Sequence, residues 1–129
     1  MPMKKVLLVD DDVEFCEATK LLLESKGYDV ILAYDGKEGL EKVRAEKPDL
    51  VILDVMMPEM NGYDVCVVLK ADMELKKTPV ILLTAVDQAL FKTTYTKVMG
   101  CMTEADDYIA KPVEPEELLK RMKDLPSKD

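Results

Sequence analysis

The sequence predicts a doubly wound α/β domain, a five-stranded parallel sheet covered by helices on both faces. Three observations carry that expectation. Short apolar runs alternate with longer amphipathic stretches along the chain. The runs are apolar at successive positions, as strands buried on both faces require. The polar residues able to do chemistry stand directly after those runs.

Val6-Leu7-Leu8-Val9 is the first expected strand. From Val13 to Lys26, the residues Val13, Cys16, Leu22 and Leu23 fall near helical spacing, and Gly27 is a natural C-terminal stop. Tyr28 to Ala33 reads as the second strand, and Gly36 to Glu46 as a short helix closed before Pro48. Leu50-Val51-Ile52-Leu53 is the third strand. Pro58 and Asn61-Gly62 mark Met57 to Gly62 as loop, and Tyr63 to Met73 as the third helix. Pro79 to Leu83 is the fourth strand, Gln88 to Met99 the fourth helix and Tyr108-Ile109-Ala110 the fifth strand. The last helix, Glu114 to Leu125, begins with Glu and gathers Lys and Arg towards its end, as the helix dipole favours. With no internal linker or repeat, residues 1–129 are expected to form one domain.

Composition narrows the function. The chain has 26 acidic and 18 basic residues, a net charge of −8, and its basic residues are dispersed among acids. Direct nucleic-acid binding is therefore not expected, because phosphate contacts need clustered Lys and Arg. No apolar run reaches the ~18 residues of a membrane helix, and a cytoplasmic location is the expectation. Cys16, Cys66 and Cys101 are odd in number and in no CxxC spacing, so packing is expected of them, not zinc or disulfides. The absence of histidine removes Ser-His and Cys-His catalysis, and any phosphohistidine must belong to a partner.

The expected strand ends carry the chemistry. Strand one runs into Asp10-Asp11-Asp12, strand three into Asp54, strand four into Thr84 and strand five into Lys111, whereas strand two ends in the turn residues Tyr34-Asp35-Gly36. Ligands of open parallel sheets bind beyond the carboxyl ends of the strands, where strand order reverses. An order of 2-1-3-4-5 brings the four polar ends together and leaves strand two at an edge. Asp10, Asp11 and Asp54 then set three negative charges against Lys111, and an oxygen-only donor set suits a hard cation such as Mg²⁺ with phosphate. Each residue also has a plainer reading. Asp12, or Asp11 with Glu14 three residues on, could simply cap the first helix. Asp54 could open a loop, Thr84 could be a strand residue or a cap, and Lys111 before Pro112 could be an ordinary loop lysine.

In order and spacing, Val9-Asp10-Asp11-Asp12, Asp54-Val55-Met56-Met57-Pro58-Glu59-Met60-Asn61-Gly62, Thr84-Ala85 and Tyr108-Ile109-Ala110-Lys111-Pro112 resemble the response-regulator receiver family, from Lys5 to about Lys123. The resemblance implies a flavodoxin-like, CheY-like (βα)5 fold and a role in two-component signalling. It implies that Asp54 accepts a phosphoryl group from a sensor histidine kinase or a histidine phosphotransfer protein. It implies Mg²⁺ held by Asp11, Asp54 and the Met56 backbone carbonyl, with Asp10 assisting. Lys111 would pair with a phosphoryl oxygen, Thr84 would hydrogen-bond another, and Tyr108 would be the aromatic switch. Lys111-Pro112 would be a cis peptide. Phosphorylation would alter the surface of the fourth helix, fifth strand and last helix, to which a downstream protein target binds. Such a protein phosphorylates and dephosphorylates itself but is not a turnover enzyme, and is a monomer or a weak phosphorylation-dependent dimer.

Some features depart from the family pattern or refine it. Cys101-Met102-Thr103-Glu104 resembles an insertion of about four residues on the output face, either a specialised partner surface or a tolerated loop extension. Asp107 and Arg121 resemble a salt-bridge pair used when DNA-binding family members dimerise; a plain surface ion pair is the alternative. Met56 and Val86, both apolar where the family tunes acyl-phosphate hydrolysis, predict slow loss of phosphate. Other functions fit less well. A haloacid-dehalogenase-like phosphatase would carry a second acid where Met56 stands, and a nucleotide-binding fold would carry GxGxxG or a P-loop. A receiver-like module that binds proteins without phosphorylation is the remaining alternative.

Overall fold

The computed structural model describes residues 4–54, 62–84, 107–110 and 113–125, with the backbone alone at Gly62, Tyr63, Thr84, Tyr108 and Ala110. The described elements are β1 (Lys5–Val9), α1 (Val13–Ser25), β2 (Asp29–Ala33), α2 (Gly36–Glu46), β3 (Leu50–Asp54), α3 (Gly62–Ala71), β4 (Val80–Thr84), β5 (Asp107–Ala110) and α4 (Pro115–Asp124). The expected Gln88–Met99 helix, residues 57–61 of the expected Met57–Gly62 loop and the Cys101–Glu104 insertion lie outside the described residues, and Gly62, expected in that loop, instead opens α3.

All strand pairings are parallel and the order is β2-β1-β3-β4-β5, as expected. Because successive side chains leave a strand on opposite faces, the apolar runs feed two cores. Val6, Leu8, Ile52, Ile81 and Leu83 pack on one face with Cys16 and Leu23 of α1 and Leu118 and Met122 of α4. Leu7, Val9, Val51, Leu53 and Leu82 pack on the other with Val43 of α2 and Val65, Cys66 and Leu69 of α3.

The helix ends follow local chemistry. Asp12, not Asp11, caps α1, its side chain accepting the Phe15 N–H at 3.1 Å. At the other end Gly27 takes φ +94°, its N–H donates to Glu24 O, and the Tyr28 N–H donates to Leu23 O. That is a Schellman closure, and it explains why β2 starts at Asp29 instead of the expected Tyr28. Asp35 caps α2 by accepting the Glu38 N–H at 2.7 Å, and Glu38 reaches back to the Tyr34 N–H. α3 ends at Ala71, two residues short of the expected Met73. The Asp72 side chain accepts from the N–H groups of Glu74 and Leu75, offering the backbone a turn in place of another helical residue. Pro115 opens α4, where its missing N–H is not needed.

One close approach sets how α2 lies on the sheet. A Cβ added to Gly39 would stand 2.9 Å from both Val9 methyl groups, and Val9 is fully buried. Gly39→Ala gains roughly 1 kcal/mol of helix propensity but overpacks the fully buried, branched Val9 side chain, at a cost of roughly 1–3 kcal/mol. A net loss of up to about 2 kcal/mol is expected in urea unfolding. An unchanged midpoint would show that Val9 yields.

Candidate metal centre

With Val9 opposite Leu53 in the β1–β3 register, the next residue on each strand is an aspartate, Asp10 and Asp54. These two strands flank the point where strand order reverses, and strands lie only ~4.8 Å apart. Asp10 is fully buried and Asp54 is 2% exposed, while Asp11 faces solvent. One carboxylate oxygen from each of Asp10, Asp11 and Asp54 lies within 4.8 Å of the others. The structure therefore brings together the three acids singled out from the strand ends.

The turn that presents Asp10 and Asp11 is held by its backbone. Asp10 N–H continues the sheet by donating to Ala33 O at 3.0 Å, and Asp10 Oδ1 accepts the Asp12 N–H at 2.9 Å. The Cys16 N–H donates to Asp12 O at 3.0 Å, and the Cys16 thiol donates to the Asp10 carbonyl at 3.3 Å. Sequence reasoning expected Cys16 only to pack. It does pack in the core, but no sequence signal marks its second contact, which arises from the helix entry angle.

Three carboxylates at this range, two of them removed from water, repel one another strongly. A divalent cation offsets that cost. Donor oxygens around Mg²⁺ at ~2.0–2.1 Å are ~2.9–4.2 Å apart, so the observed spread closes onto such an ion with small side-chain adjustments. The donor set is all oxygen, as a hard cation prefers. The site fits the metal.

Thr84 enters through its backbone, the last residue of β4, opposite Ala110 of β5 and one position beyond the Leu83 that faces Asp54. Tyr108 likewise enters through its backbone, paired with Leu82. Met56, Val86 and the Lys111-Pro112 peptide lie outside the described residues. Strand two contributes turn chemistry, as expected. Next to it, desolvation and then the charges of Cys16, Glu17 and Glu38 raise the Tyr34 phenol above its ordinary pKa.

Asp107 and Arg121 pair within the chain. Arg121 Nη1 donates to both Asp107 carboxylate oxygens at 2.9 Å, tying β5 to α4. The hydrogen bond and charge of Asp107 raise the guanidinium pKa further. Among the described residues no helix is long and apolar enough to cross a membrane.

Residues 6–123 match the model of the response regulator receiver domain. The chain is 42% identical over 120 residues to the alkaline phosphatase synthesis transcriptional regulatory protein PhoP of Bacillus subtilis, covering 93% of this chain and 47% of that protein. It is 43% identical over 121 residues to the DNA-binding response regulator MtrA of Mycobacterium tuberculosis, covering 93% and 49%. The chain thus spans about half the length of these curated relatives. Among solved structures, the response regulator TrrA of Thermotoga maritima in complex with Mg²⁺-BeF superposes with a TM-score of 0.80 at 32% identity, covering 96% of this chain and all of that one.

Proposed function

The chain belongs to the response regulator receiver domain family of two-component systems, and on that premise we propose that it is a phosphorylation switch whose acceptor is Asp54. The convergence of Asp10, Asp11 and Asp54 at the carboxyl ends of β1 and β3 carries this reading. Mg²⁺ would be held by Asp10, Asp11, Asp54 and the Met56 carbonyl, and supplies positive charge that neutralises phosphoryl oxygens. TrrA, whose structure contains Mg²⁺-BeF, supports that assignment by analogy.

Asp54 supplies the nucleophile. One of its carboxylate oxygens bonds to phosphorus as the bond from phosphorus to the donor's imidazole nitrogen breaks, and the imidazole leaves with the electron pair. The chain has no histidine, so that imidazole belongs to a sensor histidine kinase or a histidine phosphotransfer protein. Lys111 pairs with one phosphoryl oxygen, Thr84 hydrogen-bonds another, and Tyr108 carries the change to the surface that a downstream protein reads. The protein modifies and demodifies itself and turns over no external substrate. It acts in the cytoplasm as a monomer or a weak phosphorylation-dependent dimer. A net charge of −8 opposes direct contact with nucleic acid; PhoP and MtrA are each about twice as long.

Intact mass after incubation with acetyl phosphate tests the proposal. An adduct of about 80 Da that forms with Mg²⁺ and not in excess chelator is expected. No adduct under either condition would reduce the chain to a receiver-like module that binds its partners unphosphorylated.

A further inference from the structure

Cys16 is fully buried on the inner face of α1, among Val6, Leu8 and other residues of the α1–α4 core. Packing alone would not require its thiol to meet the acidic turn, yet it does. Its S–H donates to Asp10 O at 3.3 Å, and its N–H donates to Asp12 O at 3.0 Å. These two carbonyls stand on either side of Asp11.

The Asp10 carbonyl belongs to the same planar peptide as the Asp11 N–H. Fixing that oxygen fixes the plane, and rotation of the plane would swing the Asp11 carboxylate away from Asp10 and Asp54. Asp11 is the exposed member of the trio, so no surrounding core holds its side chain, and its aim depends most on the backbone beneath it. Asp10 is secured independently by the sheet bond to Ala33 O and by the Asp12 N–H on its own carboxylate.

We propose that Cys16 is a positioning residue of the acidic site: the hydrogen bond from its buried thiol to the Asp10 carbonyl orients the Asp10–Asp11 peptide and aims the Asp11 carboxylate at the cation. The proposal rests on the reading of the cluster as a Mg²⁺ site, which the wild-type protein tests separately. Outer partners of metal ligands are commonly worth 10–100-fold in affinity. A thiol is a weak donor, so the effect here is expected below that range.

Mg²⁺ titration by calorimetry on the full chain is the test, using Cys16→Ala, Cys16→Val, Cys16→Ser and Cys66→Ala. The valine variant keeps the volume without a donor, which covers the case in which alanine loosens the fold. Serine restores a donor. Cys66 is equally buried but lies in the core on the opposite face of the sheet. Cys16→Ala and Cys16→Val are expected to weaken Mg²⁺ binding about 3- to 10-fold, with Cys16→Ser within about twofold of wild type and Cys66→Ala unchanged. Wild-type affinity in Cys16→Val overturns the proposal, as does a serine variant as weak as valine. Equal weakening by Cys66→Ala also overturns it, because any buried thiol would then serve. A wild-type chain that binds no Mg²⁺ overturns the metal site and this proposal together.

Discussion

Asp54→Asn is expected to abolish phosphoryl uptake while making the metal-free protein more stable. Loss of uptake follows from chemistry: a neutral carboxamide is not the nucleophile that a carboxylate is, and Asp54 is the trio's member at the end of the central strand β3. The gain in stability follows from electrostatics. Asp54 is 2% exposed, and its carboxylate stands within 4.8 Å of two others. At an effective dielectric of 20, each such pair carries roughly 3–4 kcal/mol of raw repulsion. Solvent screening at the exposed Asp11 and the interactions Asp54 already makes within the chain offset part of this, so a net gain of about 1–2 kcal/mol is expected in urea unfolding with chelator. Intact mass and the urea midpoint read the two effects independently. An Asp54→Asn protein that still gains the adduct would place the acceptor elsewhere. One that loses stability would show that the three charges are already compensated within the chain.

Mg²⁺ itself is expected to be among the largest stabilising additions. A ligand that binds only the folded state at a hundred times its Kd contributes about 2.7 kcal/mol. For a chain of 129 residues that is roughly a 10 °C rise in Tm. Asp11→Ala should not cost stability without metal: it removes two of the repulsive pairs, and solvent screening of the exposed Asp11 keeps the resulting gain small. It removes one of three carboxylate ligands, however, and should erase most of the Mg²⁺-dependent rise. Thermal melts of both proteins with Mg²⁺ and with chelator measure this directly. A full Tm rise in Asp11→Ala would remove Asp11 from the ligand set. No rise in wild type would mean the carboxylates repel without recruiting the ion.

Much of this was legible in the sequence because it is local. Runs such as Leu50 to Leu53 are apolar at every position, and only burial on both faces makes use of that pattern. Gly27 marks the end of α1 because few other residues tolerate a positive φ there. Asp54 and the acidic triplet could be singled out because strand ends are where such sheets hold ligands. Element boundaries were less legible. Tyr28 looks like a strand residue, but its N–H is already spent on the Leu23 carbonyl. Met73 looks helical, but the Asp72 side chain turns the backbone first.

By itself, then, the sequence determined the fold class, the number of strands and the acids that could form a site, since each depends on short-range periodicity or on residue type. Only the tertiary structure decided which aspartate does what. Asp10, Asp11 and Asp12 are chemically alike and adjacent, and local propensity cannot rank them. The β1–β3 register lays Asp10 beside Asp54, the entry of α1 commits Asp12 to the Phe15 N–H, and Asp11 is left at the surface facing both buried acids. The same helix entry brings the Cys16 thiol to the Asp10 carbonyl, and the approach of α2 makes Gly39 necessary beside Val9. The Asp10–Asp54 and Gly39–Val9 contacts depend on how elements distant in sequence dock, and the angle at which α1 enters is set by its packing on the same core.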